Sequence, residues 1–202
     1  MTHILHVNSS PRGEGSHSRQ ISSEFVEAWL QTHPGDTVTA RDLSQQDIPH
    51  VTEEFIGAMY TPAEARTPEQ KELLMLSDTL IAELFAADVY VLGVPMYNFS
   101  VPAVLKAYID YVSRVNETWT PSYEGLLKNK KAVIVTARGG GGYGPGEMRA
   151  AANFEDPYLQ AVLGFLGVTD VTFIHVNNTS DGEEAPKSIT AAREQIKQLA
   201  AA

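Results

Sequence analysis

Residues 4–13, ILHVNSSPRG, hold the pattern that decides the fold. The stretch begins with a short, mainly apolar run at 4–7 and stops abruptly at a turn-rich segment. This pattern predicts a buried strand followed by a loop. Apolar residues then recur at helical spacing over residues 18–33, and Pro34-Gly35 supplies a stop. Strand, loop and helix in this order predict the first βα unit of a parallel sheet.

The same order of strand, loop and helix recurs along the rest of the chain. Further strands are predicted from short apolar or alternating runs at residues 37–43, 89–94, 132–136 and 171–176. Further helices are predicted from apolar periodicity and end signals at residues 67–84, 102–114, 156–167 and 185–201. The alternation is therefore βα throughout.

The most regular helix is predicted to begin at a capping box, Thr67-Pro68-Glu69-Gln70. Its apolar face is predicted from positions at helical spacing, namely Leu73, Leu76, Leu80, Ile81 and Leu84. Residues 47–66, by contrast, show no clear period. We expect that segment to wrap the surface.

Five strands separated by helices predict an α/β protein with a parallel sheet covered on both faces. Right-handed crossovers place helices on each side of such a sheet, which gives a three-layer sandwich. Ligands of these sheets bind beyond the carboxyl ends of the strands, where the strand order reverses. The loops after the first, third and fourth strands are therefore expected to converge on one site.

Composition bounds the class of protein. Hydrophobic residues at 43% and charged residues at 20% are near globular averages, so we expect one domain over residues 1–202. The net charge of −10 disfavours a nucleic-acid partner, because such affinity depends on Lys and Arg replacing counterions. The sequence has no signal-peptide pattern and no apolar run of about 20 residues, so we expect a cytoplasmic chain without membrane association.

Several chemistries have no sequence support. The chain has no cysteine, which excludes a disulfide, a thiolate nucleophile and a cysteine-ligated metal. Its six histidines are dispersed, and we predict no metal site. The motifs of serine hydrolases, zinc proteases and phosphate-loop kinases are also missing.

Four serines follow the first strand and lead into a helix: Ser9, Ser10, Ser16 and Ser18. Unpaired N–H groups and the dipole of a helix N-terminus attract anions, so this segment is suited to a phosphate. The alternative is that Ser16 or Ser18 only caps the helix, and the serines alone do not separate the two interpretations. The position at the carboxyl end of the first strand favours phosphate. His17 is expected to contribute through its backbone.

The third strand ends at Pro95-Met96-Tyr97-Asn98-Phe99. Polarizable, aromatic and amide groups together are suited to the edge and face of an aromatic ring. Core packing is an equal alternative for Met96 and Phe99. Asn98 supports the ligand interpretation better, since an amide in a core needs a polar partner.

The fourth strand is followed by residues 139–146, GGGGYGPG. Gly139, Gly141 and Gly144 give the spacing of a dinucleotide fingerprint, but this run does not follow the first strand and does not open a helix directly. A flexible loop is one interpretation. We favour a close backbone approach to a flat ligand, because glycine has no Cβ in the way.

Together, these loops resemble those of the FMN-dependent NADH:azoreductases, also called quinone reductases, in the flavodoxin-like superfamily. The resemblance spans essentially the whole chain. It also rests on Thr136-Ala137-Arg138-Gly139-Gly140 and on residues 163–171, LGFLGVTDV. It implies a flavodoxin-like sandwich with strand order 2-1-3-4-5.

The resemblance also implies a set of site residues. The FMN phosphate would be held by Ser10, Ser16, His17 and Ser18. The isoalloxazine would contact Pro95, Met96, Tyr97, Asn98 and Phe99, and its pyrimidine edge would meet Ala137, Arg138, Gly139 and Gly140. Ala137 stands where many family members have serine, so one hydroxyl contact is missing.

Members of this family are homodimers with the site at the subunit interface. By the resemblance, Phe165 is expected to reach over the partner's flavin, and Trp119 forms another wall of the substrate pocket. Tyr143 is expected as a further substrate contact. The partners implied are small aromatic acceptors, either quinones or azo compounds.

The activity implied is a ping-pong transfer of electron pairs from NADH, or NADPH, through FMN to the acceptor, with reductive cleavage of azo bonds to amines. A one-electron carrier like flavodoxin is the alternative, since it shares the sheet, the cofactor and an acidic surface. The phosphate loop of such carriers is usually compact and rich in threonine, whereas the serine loop here is longer. A hydrolase of a carrier-protein phosphodiester is a third interpretation, but the sequence offers it no evident nucleophile or metal ligands.

Overall fold

The computed structural model describes residues 1–201 and is built around one parallel sheet. Its strands, in chain order, are β1 His3–Asn8, β2 Thr37–Asp42, β3 Val89–Pro95, β4 Lys131–Ala137 and β5 Asp170–Val176. Their spatial order is β2-β1-β3-β4-β5, and each neighbouring pair is parallel. The predicted fold class and strand order are confirmed.

The helices connect these strands. They are α1 His17–Thr32, α2 Glu53–Tyr60, α3 Pro68–Ala86, α4 Ala103–Val112, α5 Asp156–Leu166 and α6 Glu184–Ala200. Buried residues of α1 and α6 form one apolar cluster, and those of α2, α3, α4 and α5 form the other. The sheet therefore has a covered core on each face.

The central strand β3 shows how the sequence produces this arrangement. All seven of its residues are buried. Val89 and Val91 join the α1/α6 cluster, whereas Tyr90, Leu92 and Val94 join the opposite one, because successive side chains in a strand point to opposite faces. A continuous apolar run is what a strand covered on both faces requires.

Strand register places the ends of three strands side by side. Asn8 of β1 lies opposite Gly93 of β3, and Pro95 at the end of β3 lies opposite Ala137 at the end of β4. The strand order reverses between β1 and β3. The loops that follow these strands therefore meet at one edge of the sheet.

One local prediction is incomplete and another is wrong. Residues 47–66 include the helix α2, which is capped by the Thr52 side chain accepting from the Phe55 N–H. In α3, Leu73 is 43% exposed, whereas Leu74 and Ser77 are buried. The buried Ser77 hydroxyl donates to the Tyr111 carbonyl, so a polar residue occupies a position that an apolar pattern does not reveal.

Within residues 1–201, no helix combines the length and the apolar character needed to cross a membrane.

Candidate active site

A cleft of about 240 Å3 opens where the loops after β1, β3 and β4 meet. It is lined by Ser10, Arg12, Ser16, His17, Ser18, Pro95, Met96, Tyr97, Ala137, Gly139, Thr179 and Ser180. We call it the serine cleft. All of these residues except Arg12, Thr179 and Ser180 belong to the set predicted from the sequence.

The serine side of the cleft is formed by buried hydroxyls at the start of α1. Ser10, Ser16 and Ser18 are each at most 4% exposed. The Ser16 hydroxyl caps α1 by accepting from the Arg19 N–H at 3.4 Å, and it lies 3.3 Å from the Ser18 hydroxyl. The cap and the predicted phosphate site therefore lie at the same end of the helix, where N–H groups and the helix dipole favour negative charge.

Arg19 holds this loop in place. Its Nη2 donates to the Ser10 carbonyl at 2.8 Å, and its Nη1 donates to Oδ2 of Asp42 at 2.7 Å. Burial raises the pKa of Asp42, but the hydrogen bonds from Arg19 and Ser44 outweigh this effect and lower that pKa. The charge of Arg19 is therefore balanced by Asp42, and the serine side of the cleft offers hydroxyl and amide groups together with Arg12.

A buried polar cluster supports the loop from below. His6 Nε2 lies 2.9 Å from the Ser22 hydroxyl and 3.2 Å from Nδ2 of Asn8. Burial lowers the pKa of His6 to about 4, and Arg19 acts in the same direction. His6 is therefore neutral at pH 7. Gly93 allows this close approach, because a Cβ at that position would lie 2.5 Å from Oδ1 of Asn8.

The opposite side of the cleft is a tight turn. Tyr97 N donates to the Ser100 carbonyl at 2.9 Å, and Ser100 N donates to the Tyr97 carbonyl at 3.1 Å. Asn98 and Phe99 between them have φ of 48° and 72°. Left-handed backbone is tolerated by asparagine but strained for phenylalanine, and strain of this kind concentrates at functional sites.

The side chains of this turn do not belong to the core. Tyr97 is 38% exposed and Phe99 is 50% exposed. Core packing is therefore the wrong interpretation for Phe99. The turn leaves aromatic side chains exposed next to the buried serines.

The glycine loop after β4 packs against the loop after β5. Ser180 N donates to the Gly139 carbonyl and Asn178 N donates to the Gly140 carbonyl, each at 3.1 Å. A Cβ on Gly139 would lie 2.9 Å from the Ser180 hydroxyl, so any side chain at this position would displace that hydroxyl. Within residues 1–201, the N–H groups of Gly139 and Gly140 have no protein acceptor. Both groups are therefore available to a ligand.

Comparisons with known proteins agree with this geometry. A family model described as Flavodoxin-like fold matches residues 2–200. An FMN-dependent NADH:quinone oxidoreductase of Nostoc sp. is 49% identical over 205 residues, covering 100% of this chain and 99% of the relative. The chain belongs to this quinone oxidoreductase family. An enzyme of the same name from Herminiimonas arsenicoxydans is 44% identical and covers 98% of both chains.

Solved structures extend the comparison to azoreductases. The azoreductase from Bacillus anthracis has a TM-score of 0.87 and 29% identity, over 100% of this chain and 99% of that one. The predicted family and its class of enzyme are confirmed. FMN and NADH as the cofactor and electron donor of the quinone oxidoreductase family are confirmed as well.

The Arg138 side chain does not line the serine cleft, and the contact of this residue with the pyrimidine edge stays a prediction. Its side chain is 2% exposed and turns away from the serine cleft. Nε donates to Oε2 of Glu155 at 2.9 Å, and Nη2 donates to Asp156. The Arg138 carbonyl accepts from the Thr179 N–H at 3.0 Å. A contact of Arg138 with the cofactor is therefore restricted to its backbone.

Tyr143 also lies elsewhere. It lines a second cleft of about 730 Å3, together with Arg138, Asp156 and His175. Its ring is 5.5 Å from the guanidinium carbon of Arg138, and the side chain is buried. The structure therefore places Tyr143 outside the serine cleft, and its role as a substrate contact stays a prediction.

Trp119 and Phe165 form an aromatic cluster away from the serine cleft of the same chain. Their ring centroids are 5.4 Å apart, and the Tyr123 ring stacks on Trp119 at 5.6 Å. Tyr123 is 75% exposed. None of these three aromatic residues lines the serine cleft of its own chain.

The cleft residues missed in the sequence had a detectable signal. Arg12 lies in the loop after β1, within the stretch 4–13, and Thr179 and Ser180 belong to residues 177–182, NNTSDG, a turn-rich run directly after β5. Because β5 is parallel to its neighbour β4, this loop lies at the same edge of the sheet. The signal, a turn-rich run directly after a parallel strand, was therefore the same as for the other loops.

Proposed function

We propose that this chain binds FMN in the serine cleft and transfers electron pairs from NADH to quinones. One observation carries the proposal: the buried serines at the start of α1 face the strained aromatic turn at residues 97–100 across one cleft. The first group is suited to a phosphate and the second to a flat ring. The names of the relatives, which are FMN-dependent NADH:quinone oxidoreductases, support the same ligand and reaction.

The residues present fit FMN. Ser10, Ser16 and Ser18 offer hydroxyls, and the first turn of α1 offers N–H groups, to a terminal phosphate. This arrangement requires no metal ion. Tyr97, which lines the cleft, and Phe99 beside it in the same turn offer exposed aromatic surface, and Gly139 offers an N–H group to a ring.

Bound FMN supplies the exchange of electron pairs and hydride. The chain supplies binding and orientation. We propose that the N–H groups of Gly139 and Gly140 donate to the pyrimidine edge of the ring, where preorganised donors stabilise negative charge. Arg19 and Asp42 hold the serine loop in its binding conformation without contacting the ring.

The finer steps belong to the same proposal. NADH and the acceptor use one face of the ring in turn, which gives a ping-pong mechanism, and azo compounds are cleaved to amines. NADH rather than NADPH follows from the names of the relatives. We also propose that the chain acts in the cytoplasm, where reduced nicotinamide is supplied.

We also propose a homodimer in which each active site is shared. Trp119, Tyr123 and Phe165 form aromatic surface outside the serine cleft of their own chain, and Tyr123 is exposed. Such a cluster fits the open side of a second subunit's cleft. Phe165 would then cover the flavin of the partner.

Steady-state kinetics test this proposal. With the FMN-loaded protein, initial rates are measured while NADH is varied at several fixed quinone concentrations. Parallel double-reciprocal lines are expected, and lines that intersect would exclude ping-pong transfer. The same assay with NADPH gives the donor preference, and chromatography of an azo-dye reaction shows whether amines form. No NADH oxidation with FMN bound would contradict the activity itself.

A further inference from the structure

A buried Arg138–Glu155 hydrogen-bonded pair lies next to the glycine side of the serine cleft. Glu155 is 0% exposed and accepts at Oε2 from Nε of Arg138 over 2.9 Å. The same guanidinium donates to Asp156, the first residue of α5. Asp156 in turn accepts from Asn153 Nδ2 at 2.9 Å and lies 3.0 Å from Nε2 of His175. The β4 loop is thereby tied to the start of α5.

This pair is connected to the cleft through one residue of backbone. Arg138 lies between Ala137 and Gly139, which both line the cleft. Its N–H donates to the Val176 carbonyl at 2.9 Å, and its carbonyl accepts from Thr179 N at 3.0 Å. These two bonds hold the backbone of Arg138 against β5 and the loop that follows it. The side-chain bond to Glu155 fixes it on the α5 side.

Burial of the Glu155 carboxyl group costs free energy, because the group is not fully hydrogen-bonded. Its other oxygen, Oε1, is buried and has no hydrogen-bond partner among residues 1–201. Burial raises the pKa of Glu155 to about 8, although the adjacent Arg138 acts in the opposite direction. A perturbed acid of this kind beside a cleft is a candidate for a functional role.

Asp156 supplies the charge that Arg138 requires. Burial raises the pKa of Asp156, but the hydrogen bonds from His175 and Arg138 outweigh this effect and hold it below its ordinary value. Asp156 therefore balances the guanidinium at neutral pH. Glu155 is left to act through its geometry, as a hydrogen-bond acceptor at a fixed point.

We propose that Glu155 is a positioning residue for the cofactor site: by accepting from Arg138, it holds the backbone of Arg138 and Gly139 in the conformation that meets the flavin ring. This inference rests on the proposed function. Glu155 does not touch the ligand. Its effect passes through the guanidinium and the two peptide groups that follow β4.

Titration of the apoprotein with FMN, followed by flavin fluorescence, tests the role of Glu155. Glu155→Leu removes the acceptor, and we expect the Kd for FMN to rise about tenfold. Glu155→Gln keeps an acceptor oxygen and is expected to remain within about threefold of wild type. The visible absorption spectrum of bound FMN should shift in Glu155→Leu and not in Glu155→Gln, which a general loss of stability would not produce.

Glu83→Leu provides a matched control. Glu83 accepts from Nε of Arg41 at 3.0 Å and is half-buried, so the variant also breaks a Glu–Arg pair. Neither residue lines the serine cleft. We expect Glu83→Leu to lower thermal stability and to leave the Kd for FMN unchanged.

Two results would overturn the inference. One is wild-type FMN affinity in folded Glu155→Leu, and the other is equal loss in the Gln and Leu variants. If Glu155→Leu does not fold, the double variant Glu155→Leu/Arg138→Met replaces the whole pair with apolar groups, and wild-type affinity in that protein would overturn it equally. Failure of the wild-type chain to bind FMN would instead contradict the proposed function itself.

Discussion

Arg19 and Asp42 form a two-point ion pair beside the serine cleft, with Nη1 to Oδ2 at 2.7 Å and Nη2 to Oδ1 at 3.0 Å. The same Nη2 donates to the Ser10 carbonyl at 2.8 Å. Three separate elements, namely the end of β2, the first turn of α1 and the serine loop, are thereby fixed to one another. The loop is held in shape by side chains that do not need the ligand.

Loss of this clamp should weaken cofactor binding. In Arg19→Gln, the bond to Asp42 and the bond to the Ser10 carbonyl are both weakened, so we expect the Kd for FMN to rise about tenfold. Fluorescence titration of the apoprotein measures it. Arg193→Gln is the control. Arg193 of α6 pairs with Glu24 of α1, the helix that also contains Arg19, and neither Arg193 nor Glu24 lines the cleft. Equal affinities in the two variants would show that the clamp has no role in binding.

The cleft serines should separate stability from binding. Ser16→Ala removes the cap of α1 and is expected to lower the free energy of unfolding of the apoprotein by about 1 kcal/mol, and also to weaken FMN binding. Ser18→Ala removes no cap, so its main effect should be on FMN affinity. Urea unfolding and FMN titration of both variants measure the two quantities. An unchanged Kd in Ser18→Ala would argue against phosphate binding at this loop.

A substitution that relieves the strained turn should raise stability and lower activity. Phe99→Gly relieves a left-handed backbone and is expected to raise the free energy of unfolding by about 1 kcal/mol. It also removes the exposed ring, so quinone reduction should fall. Asn129→Gly is the control, since Asn129 has φ of 60° but precedes β4, at the other end of the strand from the 97–100 turn. Full activity in Phe99→Gly would mean that the ring has no part in the site.

The buried His6 should make the apoprotein sensitive to acid. Its pKa is lowered to about 4 in the folded chain, against 6.5 as the ordinary value. At this position the unfolded chain therefore takes up a proton first as the pH falls below 6.5, and the contribution of His6 to stability decreases until about pH 4. The loss from this group is at most about 3 kcal/mol.

Urea unfolding at several pH values between 7 and 4 measures this dependence. His6→Gln should flatten the curve in that window, whereas His50→Gln, at an exposed position, should leave it unchanged. A curve for His6→Gln that is parallel to wild type would show that other groups cause the acid sensitivity.

Hybrid dimers test whether the active site is shared between subunits. One subunit has Phe165→Ala with an intact serine cleft, and the other has Ser18→Ala with an intact Phe165. If Phe165 acts on the partner's cleft, one of the two sites in the hybrid is entirely wild type, and about half of the wild-type activity returns. If Phe165 acts within its own chain, each site has one defect and activity stays low.

The fold was largely predictable because each strand of the sheet is a short apolar run followed by turn residues. The serine loop and the 95–99 segment were predictable for the same reason, since their polar and aromatic residues follow strands directly. The helix α2 was missed because Phe55 and Ala58 are the only buried residues among its eight, which is too few to give a period. The Thr52 cap was its detectable signal.

Other features depend on tertiary contacts that spacing does not reveal. Sequence position placed Arg138 at the ligand, but two acids at the start of α5 turn its side chain into the protein. The same network draws the Tyr143 ring beneath the guanidinium. The glycine run was predicted to approach a ligand. The structure gives a second reason for Gly139, namely its contact with Ser180.

Anaerobic stopped-flow spectroscopy tests the central claim most directly. FMN-loaded protein is mixed first with NADH and then with a quinone, while flavin absorbance is followed. We predict rapid bleaching of the flavin by NADH alone, in one step that takes up an electron pair, and complete recovery of absorbance with the quinone. No bleaching without an added partner reductase would contradict the account and would support a one-electron carrier instead.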